Sequence, residues 1–251
     1  MSAYTVVTAQ ENERFWELNN GMVRADGPAF LEHDRAVTQY WSRLDETFPD
    51  NQFCLVEQES GKAVGVGNSI PVAFEGEWAD LPARGLDWVL EKGFKDRAAG
   101  KTATIMSALY IEVAGSHRGQ HLSSRMISVM RQIALSQGFS HLVAPVRPSL
   151  KSRYPLIPIE EYFQWQNSDG LPFDPWLRVH VQAGGKVLRP CPSAMVVKGS
   201  SQQWMAWTGI DFPGDGNYTI PNGLVPVTVR GGEGEYIEPG IWVLHALRES
   251  R

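Results

Sequence analysis

The sequence has 251 residues, of which 43% are hydrophobic and 20% are charged, and its net charge at pH 7 is −5. This composition is typical of a folded protein with a substantial core and argues against an intrinsically disordered chain. Lysine and arginine nowhere cluster as they do on a nucleic-acid-binding surface, so we expect no nucleic-acid partner. No segment approaches the ~20 consecutive apolar residues of a membrane helix. The N-terminus lacks the basic region and apolar core of a secretion signal, which predicts a cytoplasmic protein without a membrane partner.

The first third of the chain changes from a helical to a strand-like pattern. A short strand is predicted at residues 4–9, followed by apolar residues at helical spacing over 10–22 and 29–46. Two β-rich runs, 52–58 and 63–74, flank the turn residues 59–62 and predict a hairpin. Cys54 and Cys191 lie in apolar stretches and are expected to be buried free thiols, because two cysteines are too few to indicate a disulfide framework.

The rest of the chain alternates helices with strands. Helices are predicted at 86–97, 119–137, 175–183 and 202–207, and strands at 102–113, 139–146, 187–197, 224–229 and 236–244. Asp174 is expected to cap the helix that begins with a proline at 175. This order predicts one α/β domain built around a mixed sheet, with a Pro-rich insertion at 149–173 and a C-terminal elaboration at 199–251.

The segment 108–126, ALYIEVAGSHRGQHLSSRM, carries the most chemical information. A predicted strand ends at Val113, a turn follows, and a helix starts near Gly119. A helix N-terminus offers unpaired backbone N–H groups and the positive end of the helix dipole, which suits a phosphate. A dinucleotide fingerprint or a P-loop is not indicated, because neither G-x-G-x-x-G nor G-K-[ST] is present at the required place.

The same turn resembles the signature R-G-x-G-[IL]-[GS]-x-x-[LM] of the GNAT N-acetyltransferase superfamily, and the element order over residues 4–198 is similar to that fold. The resemblance implies a mixed sheet flanked by helices and acetyl-CoA as co-substrate. It implies that the pyrophosphate is held by Arg118, Gly119, Gln120, His121, Leu122 and Ser123, and that the backbone around Ile111 and Val113 pairs with the pantetheine arm. His121 replaces the second glycine of the signature, where its side chain either crowds the pyrophosphate or donates a hydrogen bond to it.

His180 is the candidate acid catalyst. Enzymes of the family commonly carry a tyrosine four residues before a glycine, where it protonates the leaving thiolate; if Gly184 matches that glycine, His180 occupies the tyrosine position. An imidazolium can donate the proton near neutral pH, so the rate is expected to fall at alkaline pH. The alternative interpretation is a histidine that only packs against the core.

A general base is less clearly indicated. Glu112, near the end of the predicted strand, is either that base or a solvated charge at the edge of the sheet. Ser107 is placed on the same strand at a position that can face the acceptor. The insertion is expected to line the acceptor pocket. Four carboxylates of the connection before the His180 helix are expected to select an amine or to lie on the surface: Glu160, Glu161, Asp169 and Asp174. Its aromatic residues are expected to pack the insertion or, second, to form a pocket wall.

The sequence thus predicts an acyltransferase that moves acetyl from acetyl-CoA to an amine of a small molecule. Two alternatives use the same fold: decarboxylation or S-acyl transfer on an acyl-CoA or acyl-carrier protein, and CoA binding without catalysis. No metal is expected, because the spacing typical of metal ligands is absent around His33, His117, His141 and His245. Homodimer formation is left open.

Overall fold

The computed structural model describes residues 3–11, 13–24 and 27–248, and its central feature is one nine-stranded sheet. The strands are β1 (Tyr4–Thr8), β2 (Gln52–Glu57), β3 (Ala63–Val72), β4 (Ile105–Val113), β5 (His141–Val146), β6 (Gly185–Ser200), β7 (Gly216–Tyr218), β8 (Val227–Arg230) and β9 (Glu233–Ala246). They run in the order β1-β2-β3-β4-β5-β9-β8-β7, and β6 pairs with the other edge of β9. The predicted strands are confirmed, whereas β7 was not predicted because three residues are too few to show alternation.

Eight α-helices surround the sheet in the described part of the chain: α1 (Glu13–Gly21), α2 (Arg35–Tyr40), α3 (Leu44–Thr47), α4 (Gly85–Ala98), α5 (Leu122–Ser136), α6 (Ile159–Tyr162), α7 (Pro175–Gln182) and α8 (Ser201–Thr208). The predicted helix 10–22 extends over Asn12, which lies outside the described residues. The continuous helix predicted at 29–46 is wrong. Asp34 has an extended backbone and interrupts it, and 3₁₀ turns at Ala29–His33 and Trp41–Arg43 replace regular helix. The Asp34 carboxylate instead caps α2, accepting from the backbone N–H of Val37 at 2.9 Å.

Asp34 also takes part in a buried carboxyl pair with Asp87 of α4. Its second oxygen accepts from the backbone N–H of Val196 at 3.0 Å. Asp87 is buried, and its Oδ1 has no hydrogen-bond partner among the described residues. Burial first, and then the nearby Asp34, raises the pKa of Asp87 to about 8. One proton is therefore held between the two carboxyl groups at neutral pH.

Each face of the sheet is covered by its own helices. On the face that we call the α5 face, α5 and α7 pack through Met126, Met130 and Leu177 onto a cluster that contains Met106 and Val243. On the opposite face, the α4 face, α2 and α4 pack through Tyr40, Val89 and Leu90 onto Val143 and Trp242. Successive residues of a strand point to opposite faces, so these clusters fix which side chains of β4, β5 and β9 reach each face.

The parallel strands β4 and β5 separate soon after they meet. Only Met106 pairs with Leu142 and Ser107 with Val143. On its other side β4 carries a bulge: Asn68 of β3 pairs with Tyr110 and Ser69 pairs with Ala108, which leaves Leu109 as the extra residue. From Ala108 onward β4 therefore presents an unpaired edge to a gap in the middle of the sheet.

Helix α7 is anchored by Asp174. As predicted, this carboxylate caps the helix, accepting from the backbone N–H groups of Trp176 at 2.9 Å and Leu177 at 3.2 Å. It also accepts from three donors of the long connection: Leu150 N–H at 2.8 Å, the Tyr162 hydroxyl at 2.9 Å and the Ser149 hydroxyl at 3.3 Å. The aromatic side chains of the insertion pack beside it in the α5-face core, as expected: Tyr154, Tyr162, Phe163, Trp165 and Phe173.

Both cysteines are buried and free, as predicted. Over the ranges 3–11, 13–24 and 27–248, no helix combines the length and the apolar character that crossing a membrane requires.

Candidate active site

A cleft of about 1330 Å³ passes through the gap between β4 and β5. On the α5 face it is lined by Ile111 and Val113 of β4, by the turn before α5 and by the start of α7. On the α4 face it is lined by Leu31 and Trp41, together with Tyr110 of β4. The cleft thus joins the two faces, and the unpaired edge of β4 runs along it.

The turn before α5 has the geometry of an anion site. Gly119 and His121 both have left-handed backbones, with φ of 79° and 58°, so α5 begins at Leu122, three residues later than predicted. The backbone N–H groups of residues 119–124 have no acceptor among the described residues, since the first bond of the helix runs from Arg125 N–H to His121 C=O at 3.3 Å. Of the six predicted phosphate-binding residues, all except Gln120 line the cleft: Arg118, Gly119, His121, Leu122 and Ser123.

His180 lies on α7, lines the cleft, and faces a second histidine. Its Nδ1 is 3.0 Å from Nε2 of His245 on β9, and both side chains are buried. Burial, followed by the neighbouring His245, lowers the pKa of His180 to about 3, and burial lowers that of His245 to about 4. The predicted imidazolium is therefore wrong: His180 is neutral at pH 7, because burial disfavours the charged ring.

Ser107 does not face the acceptor, which corrects the sequence-based expectation. Its side chain is fully buried, its hydroxyl donates to the carbonyl of Ala108 at 3.3 Å, and it does not line the cleft. The reason is its place in the sheet: Ser107 pairs with Ile70 on one side and Val143 on the other. The gap opens only after it.

Glu112 lines the cleft beside Tyr110. Its carboxylate accepts from the Tyr110 hydroxyl at 2.8 Å and lies 3.6 Å from a guanidinium nitrogen of Arg24. The side chain is 9% exposed, so the interpretation as a solvated charge is wrong. Burial, followed by the hydrogen bond to Glu112 and the charge of Glu112, raises the pKa of Tyr110. The phenol therefore remains protonated as a donor to this carboxylate.

The opposite wall carries an ion pair that the sequence did not indicate. Arg147, directly after β5, donates through Nε to Glu238 of β9 and through Nη2 to the carbonyl of Asn222 at 2.6 Å. The buried Glu238 also accepts from the hydroxyl of Tyr236. Alternation along β5 and β9 places Arg147 and Glu238 on the α4 face, with Val143 and Trp242.

The insertion contributes less to the cleft than predicted. Between residues 147 and 173, the cleft is lined only by Arg147, Ser149 and Ser152. The expectation that its four carboxylates select an amine is wrong: Asp174 caps α7, and the other three, Glu160, Glu161 and Asp169, are exposed away from the cleft.

Comparison with known proteins places this arrangement in a family. No protein-family model matches the sequence. The chain is 33% identical over 248 residues to the arginine N-acetyltransferase avaD of Aspergillus versicolor, in an alignment that covers 88% of this chain and 85% of that protein.

Solved structures support the fold. The loading GNATL domain of CurA from Lyngbya majuscula superposes with a TM-score of 0.61 at 16% identity, covering 99% of this chain and 100% of that one. A GphF GNAT-like decarboxylase in complex with isobutyryl-CoA has a TM-score of 0.55 at 17% identity, covering 98% and 100%. At these identities the two structures bear on the fold alone. The 33% identical relative shows the family and the two structures show its fold, so the chain belongs to the GNAT superfamily and is an acyl-CoA-dependent N-acetyltransferase with a small-molecule acceptor.

Proposed function

We propose that this enzyme transfers the acetyl group of acetyl-CoA to a nitrogen of an arginine-type molecule, meaning arginine itself or a small derivative that keeps its side chain. The relative avaD, an arginine N-acetyltransferase, suggests the acceptor class. The observation that carries the proposal is the α4-face half of the cleft. It combines the carboxylate of Glu112, which also lies 3.6 Å from Arg24, with the rings of Trp41 and Tyr110. A carboxylate and aromatic rings both favour a cation.

Acetyl-CoA fits the α5-face half. The N–H groups of residues 119–124 have no acceptor among the described residues, and two left-handed residues precede the helix. Unpaired donors at a helix N-terminus bind a pyrophosphate. The unpaired edge of β4 from Ala108 onward offers backbone groups to the amides of the pantetheine arm. The thioester then lies in the gap, where the two halves of the cleft meet.

His180 acts in this proposal as a neutral hydrogen-bond donor. If His180 donated from Nδ1 to His245, the proton of His245 would sit on its Nδ1, which is buried without a partner among the described residues. An orphaned buried N–H is costlier than an unused ring lone pair. The favoured arrangement therefore has His245 Nε2–H donating to His180 Nδ1, which leaves the proton of His180 on Nε2.

This Nε2–H is directed to the cleft. In the described structure His180 Nε2 has no protein partner and is not shielded from solvent. Because the His180 side chain lines the cleft, this nitrogen reaches the open space of the cleft. The acceptor nitrogen attacks the thioester carbonyl carbon, and the carbon–sulfur bond then breaks. The His180 N–H stabilises the negative charge that develops on the leaving thiolate. The proton lost by the nitrogen passes to water, and a solvent proton neutralises the thiolate.

The test uses the full chain, acetyl-CoA and a panel of free amino acids, with thiol release as the rate and mass spectrometry to identify the product. We expect arginine to be acetylated in preference to neutral amino acids. Glu112→Gln should raise the KM for arginine about 10-fold, because a charge-assisted contact is lost, and leave the KM for acetyl-CoA nearly unchanged. The exposed Glu161→Gln serves as the matched control. Equal turnover of arginine and neutral amino acids would refute the proposed acceptor.

A further inference from the structure

The ion pair of Arg147 and Glu238 stands at the wall opposite Glu112, on the same face of the sheet. Two hydrogen bonds hold Arg147 in place: Nε donates to Glu238, and Nη2 donates to the carbonyl of Asn222. Glu238 is held in turn by the hydroxyl of Tyr236, which donates to its other oxygen. Nη1 of Arg147 has no hydrogen-bond partner in the described part of the chain. This nitrogen is not shielded from solvent, so it is accessible from the cleft that the Arg147 side chain lines.

A second cation lies behind this pair. Lys151 is fully buried, and its ammonium donates to the carbonyls of Leu224 at 2.7 Å and Tyr154 at 2.8 Å. Burial lowers the pKa of Lys151 to about 8, against the opposing effect of Glu238, so the group keeps its proton at pH 7. Arg147 and Lys151 together carry two positive charges against the single negative charge of Glu238. One positive charge is left over, and the only member of the cluster that lines the cleft with a free donor is Arg147.

From this geometry we infer that Arg147 binds a carboxyl-derived oxygen of the acceptor, either a free carboxylate or the carbonyl oxygen of an amide or ester. A guanidinium held by two of its nitrogens is preorganised to offer its remaining N–H groups to such an oxygen. The acceptor then spans the α4-face half of the cleft, with its cationic end toward Glu112 and its carboxyl end toward Arg147. This inference rests on the proposed acceptor class and adds the group that orients it.

The experiment compares three acceptors that differ only at that end: arginine, argininamide, and agmatine, which lacks the carboxyl carbon. At saturating acetyl-CoA we expect kcat/KM for agmatine to be about 10- to 100-fold below that for arginine or argininamide, the size of one charge-assisted contact. Equal use of agmatine and both other acceptors would overturn the inference. The ratio of arginine to argininamide tells whether charge or only the carbonyl oxygen is recognised.

Arg147→Gln alone would leave Glu238 buried without its ion partner, so the variant to use is Arg147→Gln/Glu238→Gln. It should lower kcat/KM for arginine until it matches that for agmatine, while agmatine turnover and the KM for acetyl-CoA stay nearly unchanged. Arg153→Gln, exposed in the same connection, is the matched control. If the double variant lowers arginine and agmatine turnover by the same factor, Arg147 has only a structural role.

Failure of the proposed acceptor is distinguishable from failure of this inference. If no member of the arginine series is acetylated, the acceptor class is wrong, and the series lysine, lysinamide and cadaverine applies the same comparison to Arg147. If arginine is acetylated and agmatine is used equally well, the acceptor class stands and the role of Arg147 is refuted.

Discussion

His180 shows how burial changes what a residue can do. A histidine with its ordinary pKa near 6.5 is partly protonated near neutral pH, but burial on α7 beside His245 keeps the ring of His180 neutral. Neutral imidazole still donates one hydrogen bond, and a preorganised donor in a site of low polarity stabilises developing charge effectively. The position is therefore suited to charge stabilisation without formal proton transfer from a cation.

We predict that His180→Ala lowers kcat about 10²-fold with little change in the KM for acetyl-CoA, because one donor to developing charge is removed. His180→Gln should retain much of the rate, since its amide can donate from nearly the same place. The neutral ring also predicts that wild-type kcat shows no alkaline fall due to His180. Single-turnover rates and pH profiles of the three proteins measure this; a folded His180→Ala protein with a wild-type chemical step would remove His180 from the mechanism.

His121 is a second residue whose meaning depends on the backbone. His121 stands in place of the second glycine of the family signature and has a left-handed backbone, with φ of 58°. A non-glycine residue pays roughly 1–2 kcal/mol for this conformation. The His121 side chain is exposed and lines the cleft, so its imidazole lies beside the unpaired N–H groups of the turn.

At the scale of elements, α7 depends on one carboxylate. Asp174 is almost fully buried and accepts five hydrogen bonds, two from the start of α7 and three from the connection that precedes it. The same group thereby fixes the helix that carries His180 and the segment that carries Arg147 and Lys151. Its loss would disturb both halves of the cleft.

We predict that Asp174→Ala lowers the free energy of unfolding by about 2–5 kcal/mol, because several buried donors lose their acceptor at once. Asp174→Asn should cost less, since the amide oxygen still accepts. Urea unfolding of both variants measures the difference, with the exposed Asp169→Ala as control. A loss no larger than that of the control would mean that these hydrogen bonds contribute little to stability.

The elements that the sequence predicted correctly are those with local signals. The strand–turn–helix around Gly119, the cap at Asp174 and the hairpin of β2 and β3 each depend on neighbouring residues. The contacts that form the site join residues that are far apart in the sequence: His180 and His245 are 65 positions apart, and Arg147 and Glu238 are 91 positions apart. Both pairs depend on how β9 aligns with β5 and β6, and one sequence contains no signal for that register. The break at Asp34 was missed for a similar reason, because part of its stabilisation comes from the distant Val196.

Across the whole molecule, two buried pairs give stability opposite dependences on pH. The pKa values of His180 and His245 are lowered on folding, so the unfolded chain takes up protons first, and stability falls as pH drops from about 6.5 toward 4. The pKa of Asp87 is raised to about 8, so the folded protein holds a proton that the unfolded chain has lost, and stability falls as pH rises from about 4 to 8. The two histidines lower the free energy of unfolding at acid pH, and Asp87 lowers it at alkaline pH. The free energy of unfolding is therefore expected to be largest near pH 6.5.

We predict that Asp87→Asn removes the loss of stability that accompanies rising pH. This loss amounts to as much as about 1.4 kcal/mol per pH unit for one proton. The variant should equal or exceed the wild type in stability at pH 8, because the amide cannot ionise beside Asp34 and can still donate to it. Melting temperatures between pH 5 and 9 measure this, with the exposed Asp211→Asn as control. An unchanged alkaline slope in Asp87→Asn would assign that loss to other groups.

The gap between β4 and β5 has a kinetic consequence. The cleft opens on both faces of the sheet, so in the proposed arrangement donor and acceptor enter from opposite sides, and neither must leave before the other binds. Both cysteine thiols are buried, so no thiol is available to carry the acetyl group between two separate half-reactions. Initial-rate plots should therefore intersect, as for a ternary complex. A single bisubstrate compound that joins the CoA sulfur to an arginine nitrogen through a –CH2–CO– bridge would pass through the gap in the sheet. It should bind far more tightly than either half, because each half raises the effective concentration of the other.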